Sequence, residues 1–171
     1  MRSTRGFRRL ARLLLILAGT ATLRAAPADD IVSVRLLSME LAREVATAAV
    51  EACRAHGYQV AAVVVDRSAI PQAVLRDVLA PRFTLQLAEE KANAVVLSGV
   101  STARLARNRS DILAELNEVD GILVLRGGVP IRGAGSLLGA VGVSGAPGGD
   151  KDEVCALKGV EAIQEALDFL E

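Results

Sequence analysis

Lys91 occupies the setting that most demands a chemical explanation. On a helical wheel of roughly 100° per residue, Gln86, Glu89, Glu90 and Asn93 share one side of the stretch from Phe83 to Leu97. Lys91 falls opposite them, between Leu87 and Val95. An ammonium on an apolar stripe must snorkel to water, pair within the protein, or meet a carboxylate on a ligand or neighbouring subunit, because burying it alone is costly. The single histidine, His56, stands just before Gly57. It is either a metal ligand or a surface residue at the end of a helix. Glu89 and Glu90 are adjacent, so both cannot face one ion well, and a solvated face competes with a metal site. Asp66, Asp77 and Asp152 could act as acids or bases, but no spacing singles one out. A Ser-His-Asp or Cys-His set would have to use His56, and no nucleophile elbow lies near it.

These side chains need elements to position them. Ser38 is a plausible N-cap for a helix reaching about Ala55, with Leu41, Val45, Ala48 and Ala52 as its stripe and Gly57 as its stop. Tyr58–Asp66 is a continuous β-branched run that suits a strand covered on both faces, and Pro71–Arg76 alternates as its hairpin partner. Phe83–Leu97 reads as a second helix. Ser101 or Thr102 can cap a third, and Asp111–Leu116 adds a further helical turn. Gly121–Leu125 and Leu137–Val143 read as strands, and Asp150 as the cap of a last helix striped by Val154, Leu157, Val160, Ile163, Leu167 and Leu170. The order α-β-β-α-α-β-β-α contains two hairpins, which predicts a single α+β domain with an antiparallel sheet rather than a doubly wound one.

The 171 residues carry 20 basic and 20 acidic side chains, but the ends differ. Residues 1–28 hold six arginines and no acid; without them 14 basic residues face 20 acidic ones, a formal charge of −6. Aromatics make up 2% of the chain. An acidic body with few aromatic rings argues against nucleic acid as a partner. The basic stretch Arg2–Arg12, the apolar run from Leu13 to Ala18 and the A-x-A pattern Ala26-Pro27-Ala28 form a signal peptide over 1–28, leaving a domain over 29–171. The apolar run is too short for a stable membrane span. A periplasmic or secreted location follows, with the Sec and twin-arginine routes both open. In such a compartment Cys53 and Cys155 either form a bridge or remain two buried thiols acting as small hydrophobes. There is no C-x-x-C for zinc or thioredoxin chemistry.

Nine of the fifteen glycines lie between 127 and 149. Gly133-Ala134-Gly135 is followed by Gly139, one residue too late for a dinucleotide fingerprint, and a strand rather than a helix follows. Gly149-Asp150-Lys151-Asp152 supplies no Walker G-K-[ST]. Gly139 and Gly142 sit inside a strand, where a missing Cβ lets a helix, another backbone or a flat ligand approach closely.

The run "GGVPI…LGAVGVSGAPGGDKDEVCA", with "VAAVVVDR", "AVLRD" and "LAEEKANAVVLSGVSTARLA" before it in order, resembles the GlcG/HbpS family over roughly residues 38–168. The resemblance implies about five antiparallel strands flanked by helices, assembly into homo-oligomers, and haem bound near the second helix and the loop after it. Thr102, in "ST", is then the implied oxygen ligand of the haem iron, with His56 as the other candidate. Lys91 matches the "KA" lysine, and Gly128 and Pro130 belong to the glycine-rich signature. Arg76, Arg82 and Arg126 are candidate partners for haem propionates, because guanidinium forks match carboxylates. The resulting expectation is an exported protein that sequesters or relays haem or iron without a catalytic cycle. The alternative is an enzyme or accessory protein that holds a small hydroxy acid or aldehyde through Lys91. The chain departs from the family pattern at Ala69-Ile70 and at Arg76–Ala80, where glycines are usual.

Overall fold

The apolar run after Gly57 becomes one of two interior strands of the sheet. The computed structural model describes residues 32–169; the signal peptide expected over 1–28, and Leu170 of the last stripe, lie outside these. The described elements are α1 (Met39–Arg54), β1 (Ala61–Asp66), β2 (Pro71–Arg76), α2 (Phe83–Ser98), α3 (Thr102–Asn108), a 3-10 turn (Ser110–Ile112), α4 (Leu113–Leu116), β3 (Gly128–Gly133), β4 (Ser136–Ser144), α5 (Gly149–Ala162) and α6 (Gln164–Asp168). The strands form one antiparallel sheet in the order β2-β1-β4-β3.

Burial explains the unbroken hydrophobicity of β1. Ala62 and Val64 face the cluster built with α1 and α5, whereas Ala61, Val63 and Val65 face α2. Both faces of the strand are dry, so alternation would expose nothing and is absent. The α2 side is packed backbone to backbone. A Cβ on Gly142 would come within 1.9 Å of the Ala88 carbonyl oxygen, so only glycine fits there. On the other face, α1 and α5 close on each other through Gly159, where a Cβ would sit 2.6 Å from the Val45 carbonyl oxygen. The same helix pair carries a disulfide between Cys53 and Cys155, with Cα atoms 5.4 Å apart.

Four sequence expectations need correction. The sheet has four strands, not about five, and Gly121–Leu125 is not one of them. Its backbone groups find other partners: the Leu123 N–H donates to the Glu90 carbonyl and the Val124 N–H to Asn117 Oδ1. Val124 then packs with Ala94 and Leu105. The strand starts later, at Gly128, after Gly127 turns the chain at φ 123°. Likewise α5 is capped by Gly148 rather than Asp150, which falls in the first turn, and the final helix breaks at Ile163.

Ser38 caps α1 by accepting from the Leu41 N–H, as its position predicts. The β1–β2 hairpin is tied by Asp66, whose Oδ1 accepts from the Ser68 and Ile70 N–H groups at 2.7 and 3.0 Å. This turn places Ala69 at φ 63°, in the left-handed region where the family's usual glycine would be unstrained. Pro130 lies on β3, an edge strand, opposite Ala140.

Candidate functional site

A groove of about 540 Å³ runs along the open side of β3. Its walls come from three places: Val100, Ser101 and Arg104 around the start of α3, Val129, Pro130 and Arg132 on β3, and Glu153, Leu157 and Val160 on α5. Ser101, not Thr102, is the N-cap of α3, and its hydroxyl accepts from the Arg104 N–H. That assignment leaves Thr102 to turn inward. It is fully buried, and its Oγ1 accepts from the Gly128 N–H at 3.1 Å.

Behind the groove stands a buried ion pair. Lys91 Nζ is 2.8 Å from Asp152 Oδ2 and donates to the Val143 carbonyl at 2.9 Å. The lysine is 1% exposed. Of the fates its position on the helix left open, Lys91 takes the internal pair: the carboxylate comes from the first turn of α5, 61 residues away. The other oxygen of Asp152 accepts from the Ala146 N–H at 3.0 Å, so the carboxylate ties the loop after β4 to α5 and, through Lys91, to α2. Burial pushes the Asp152 carboxyl above the usual range, and the hydrogen bond and charge of Lys91 oppose that shift without cancelling it.

Gly127 and Gly128 sit between these parts. A Cβ on Gly127 would lie 2.8 Å from Asp152 Cβ and 3.0 Å from Lys91 Nζ. One on Gly128 would lie 2.5 Å from the Lys91 carbonyl oxygen and 2.7 Å from Thr102 Cγ2. The glycines therefore make room for the chain's own atoms here, and Lys91, Thr102, Gly128 and Pro130 form one contiguous block. Arg126 joins its rim through Glu153, with Nε–Oε2 and Nη2–Oε2 distances of 2.8 and 2.7 Å.

Arg76 and His56 lie elsewhere. Arg76 is on β2, the opposite edge of the sheet from β3, and its Nη1 donates to the carbonyls of Asp77, Val78 and Ala80. His56 stacks on Tyr58, ring centroids 6.0 Å apart, and lines a hollow of about 200 Å³ beside Lys151 and Val154. Arg82 lies over the ring of Phe83. Asp66 and Asp77 serve the fold: the first holds the hairpin, and the second accepts from the Val60 N–H and from Arg54. Glu90 accepts from Gln86, and among the described residues no cluster of acids, histidines or cysteines could hold a metal ion. Sequence reading missed Arg104, Arg132 and Glu153, which reach the groove from three elements and share no motif spacing.

The fold defines an α+β domain: an antiparallel sheet between helices, with a groove along one edge strand. The chain belongs to the HbpS-like family, described as haem degrading protein HbpS-like, whose model matches residues 37–161. A crystal structure of HbpS is similar at 34% identity and TM-score 0.75, covering 82% of this chain and 99% of that one. A double mutant of Streptomyces reticuli HbpS is 33% identical with the same TM-score, covering 84% and 97%. PduOC, solved as a haem complex, shares the fold at 24% identity and TM-score 0.67, covering 75% and 96%. No protein of curated function matches the sequence.

Proposed function

We propose that this chain is an exported haem-binding protein that holds haem in the β3 groove for sequestration or relay. The groove carries the reading: its volume lies in the range of small-molecule sites, half of its lining residues are aliphatic, and Arg104 and Arg132 border it. Membership of the HbpS-like family supplies the ligand class. The residues fit the body of a porphyrin and its carboxylates. Bound there, the haem would bring its redox-active iron; the chain's contribution is to shield one face and pair the propionates.

Export has its own support in the disulfide, since such bridges persist where the compartment is oxidising. Assembly into homo-oligomers is supported by the exposed apolar side chains Val78 and Leu79, 82% and 76% exposed in the segment after β2. No described helix is long and apolar enough to cross a membrane.

Hemin titration followed by the Soret band tests the reading. A saturable shift with one equivalent per chain is expected, and its absence would refute it. The family description favours a second reading, in which the bound haem is broken down. Under ascorbate and air the band should persist for a carrier; its steady loss with release of iron would transfer the assignment to degradation.

A further inference from the structure

We propose that the groove recognises a tetrapyrrole by its carboxylates and its apolar face rather than by its iron, so that the metal-free macrocycle binds as well as haem. This inference rests on the reading of the groove as the haem site. The first observation concerns charge. Arg104 is exposed, and its guanidinium makes no hydrogen bond or ion pair with another described residue. Arg132 gives one nitrogen to the Gly99 carbonyl and keeps other donors of its fork. Glu153, the one acid lining the groove, is already held by Arg126. The lining therefore offers two guanidiniums to an incoming dianion and no unpaired carboxylate to repel it.

The second observation concerns the metal. Strong protein ligands for haem iron are imidazole, thiolate, thioether and phenolate, and none of the residues lining the groove carries one. The hydroxyl implied by the family resemblance, Thr102 Oγ1, is enclosed and bonded to the Gly128 N–H. Turning it outward would strand that N–H inside the protein, a loss that a weak oxygen–iron contact does not offset. His56 and Tyr58 line a different hollow. What distinguishes a ligand in this groove is thus its periphery.

The test uses the full chain with three probes: hemin, protoporphyrin IX, and protoporphyrin IX dimethyl ester. Hemin and protoporphyrin should bind within about threefold of each other, and the ester about tenfold or more weakly, because only it lacks the charged oxygens that guanidinium forks grip. Arg104→Gln and Arg132→Gln should each weaken both free acids by about five- to tenfold while leaving the ester unchanged. Should Arg132→Gln unfold, Arg104→Gln decides alone, since its side chain supports nothing else. Thr102→Val should leave the hemin-to-protoporphyrin ratio unaltered. Hemin binding more than about threefold tighter than protoporphyrin would overturn the inference, because ligation of the iron would then add to the grip on the periphery. So would a ratio that collapses in Thr102→Val, or an ester that binds as well as the acids. If neither hemin nor protoporphyrin binds saturably, the haem reading itself falls.

Discussion

Replacing Cys53 and Cys155 by alanine together should cost more stability than any surface change in this protein. The bridge spans 102 residues, from α1 to α5. Closing a loop of that length removes about 4.7 kcal/mol of chain entropy from the unfolded state at 25 °C. Strain and residual unfolded structure reduce measured values, so a loss of about 3–5 kcal/mol is expected. Both sulfurs are buried, and their removal adds a small cavity cost of the same sign. For a domain of this size the melting temperature should fall by roughly 10–15 °C. Urea unfolding of the oxidised wild type and the double variant provides the assay. The unfolded variant is freer to expand, so its m-value should rise as its midpoint falls. A loss below about 1 kcal/mol with an unchanged m-value would refute the reasoning, since the cross-link would then not constrain the unfolded chain. Dithiothreitol should reproduce the variant in the wild type.

Four further outcomes are expected. Gly142→Ala should abolish folding or cost more than about 3 kcal/mol in urea, because backbone atoms of α2 occupy the place of the new methyl. Ala69→Gly should raise stability by about 0.5–1 kcal/mol: relief of the left-handed strain is partly offset by a more flexible unfolded chain. Lys91→Met should cost about 3–5 kcal/mol near neutral pH by leaving Asp152 buried without its partner. The raised Asp152 carboxyl also sets a sign. Between its unfolded value of 3.8 and its higher folded value, the native state binds more protons, so this group's contribution declines as pH rises. The stability difference between wild type and Asp152→Asn, followed across that window, should fall with pH and then level off.

The parts of this fold that depend on neighbours in sequence were legible. The Ser38 cap, the two-sided β1 and the β1–β2 hairpin follow from local composition and period. The strand misplaced at Gly121–Leu125 shows the limit, because its apolar run is genuine but its hydrogen bonds go to Asn117 and α2. Whether a run becomes a strand depends on which backbone groups remain unpaired, and that is settled by distant segments. The helical wheel posed the problem of Lys91 but could not choose among its solutions, because Asp152 lies on another helix. The same holds for Cys53 and Cys155, which the sequence left either bridged or as two buried thiols. The groove was the least legible, since Arg104 and Arg132 are brought together by the start of α3 meeting an edge strand.

Pro130 on that edge strand has a consequence for how the molecule behaves in a crowded compartment. Having no N–H to give β4, it turns its nitrogen to the open side, where it offers nothing to an approaching chain. A second sheet seeking to zip onto β3 would meet a gap in the middle of the ladder. The open side of β3 is thereby guarded against fibril growth, and the guard is a single ring closed on its own backbone.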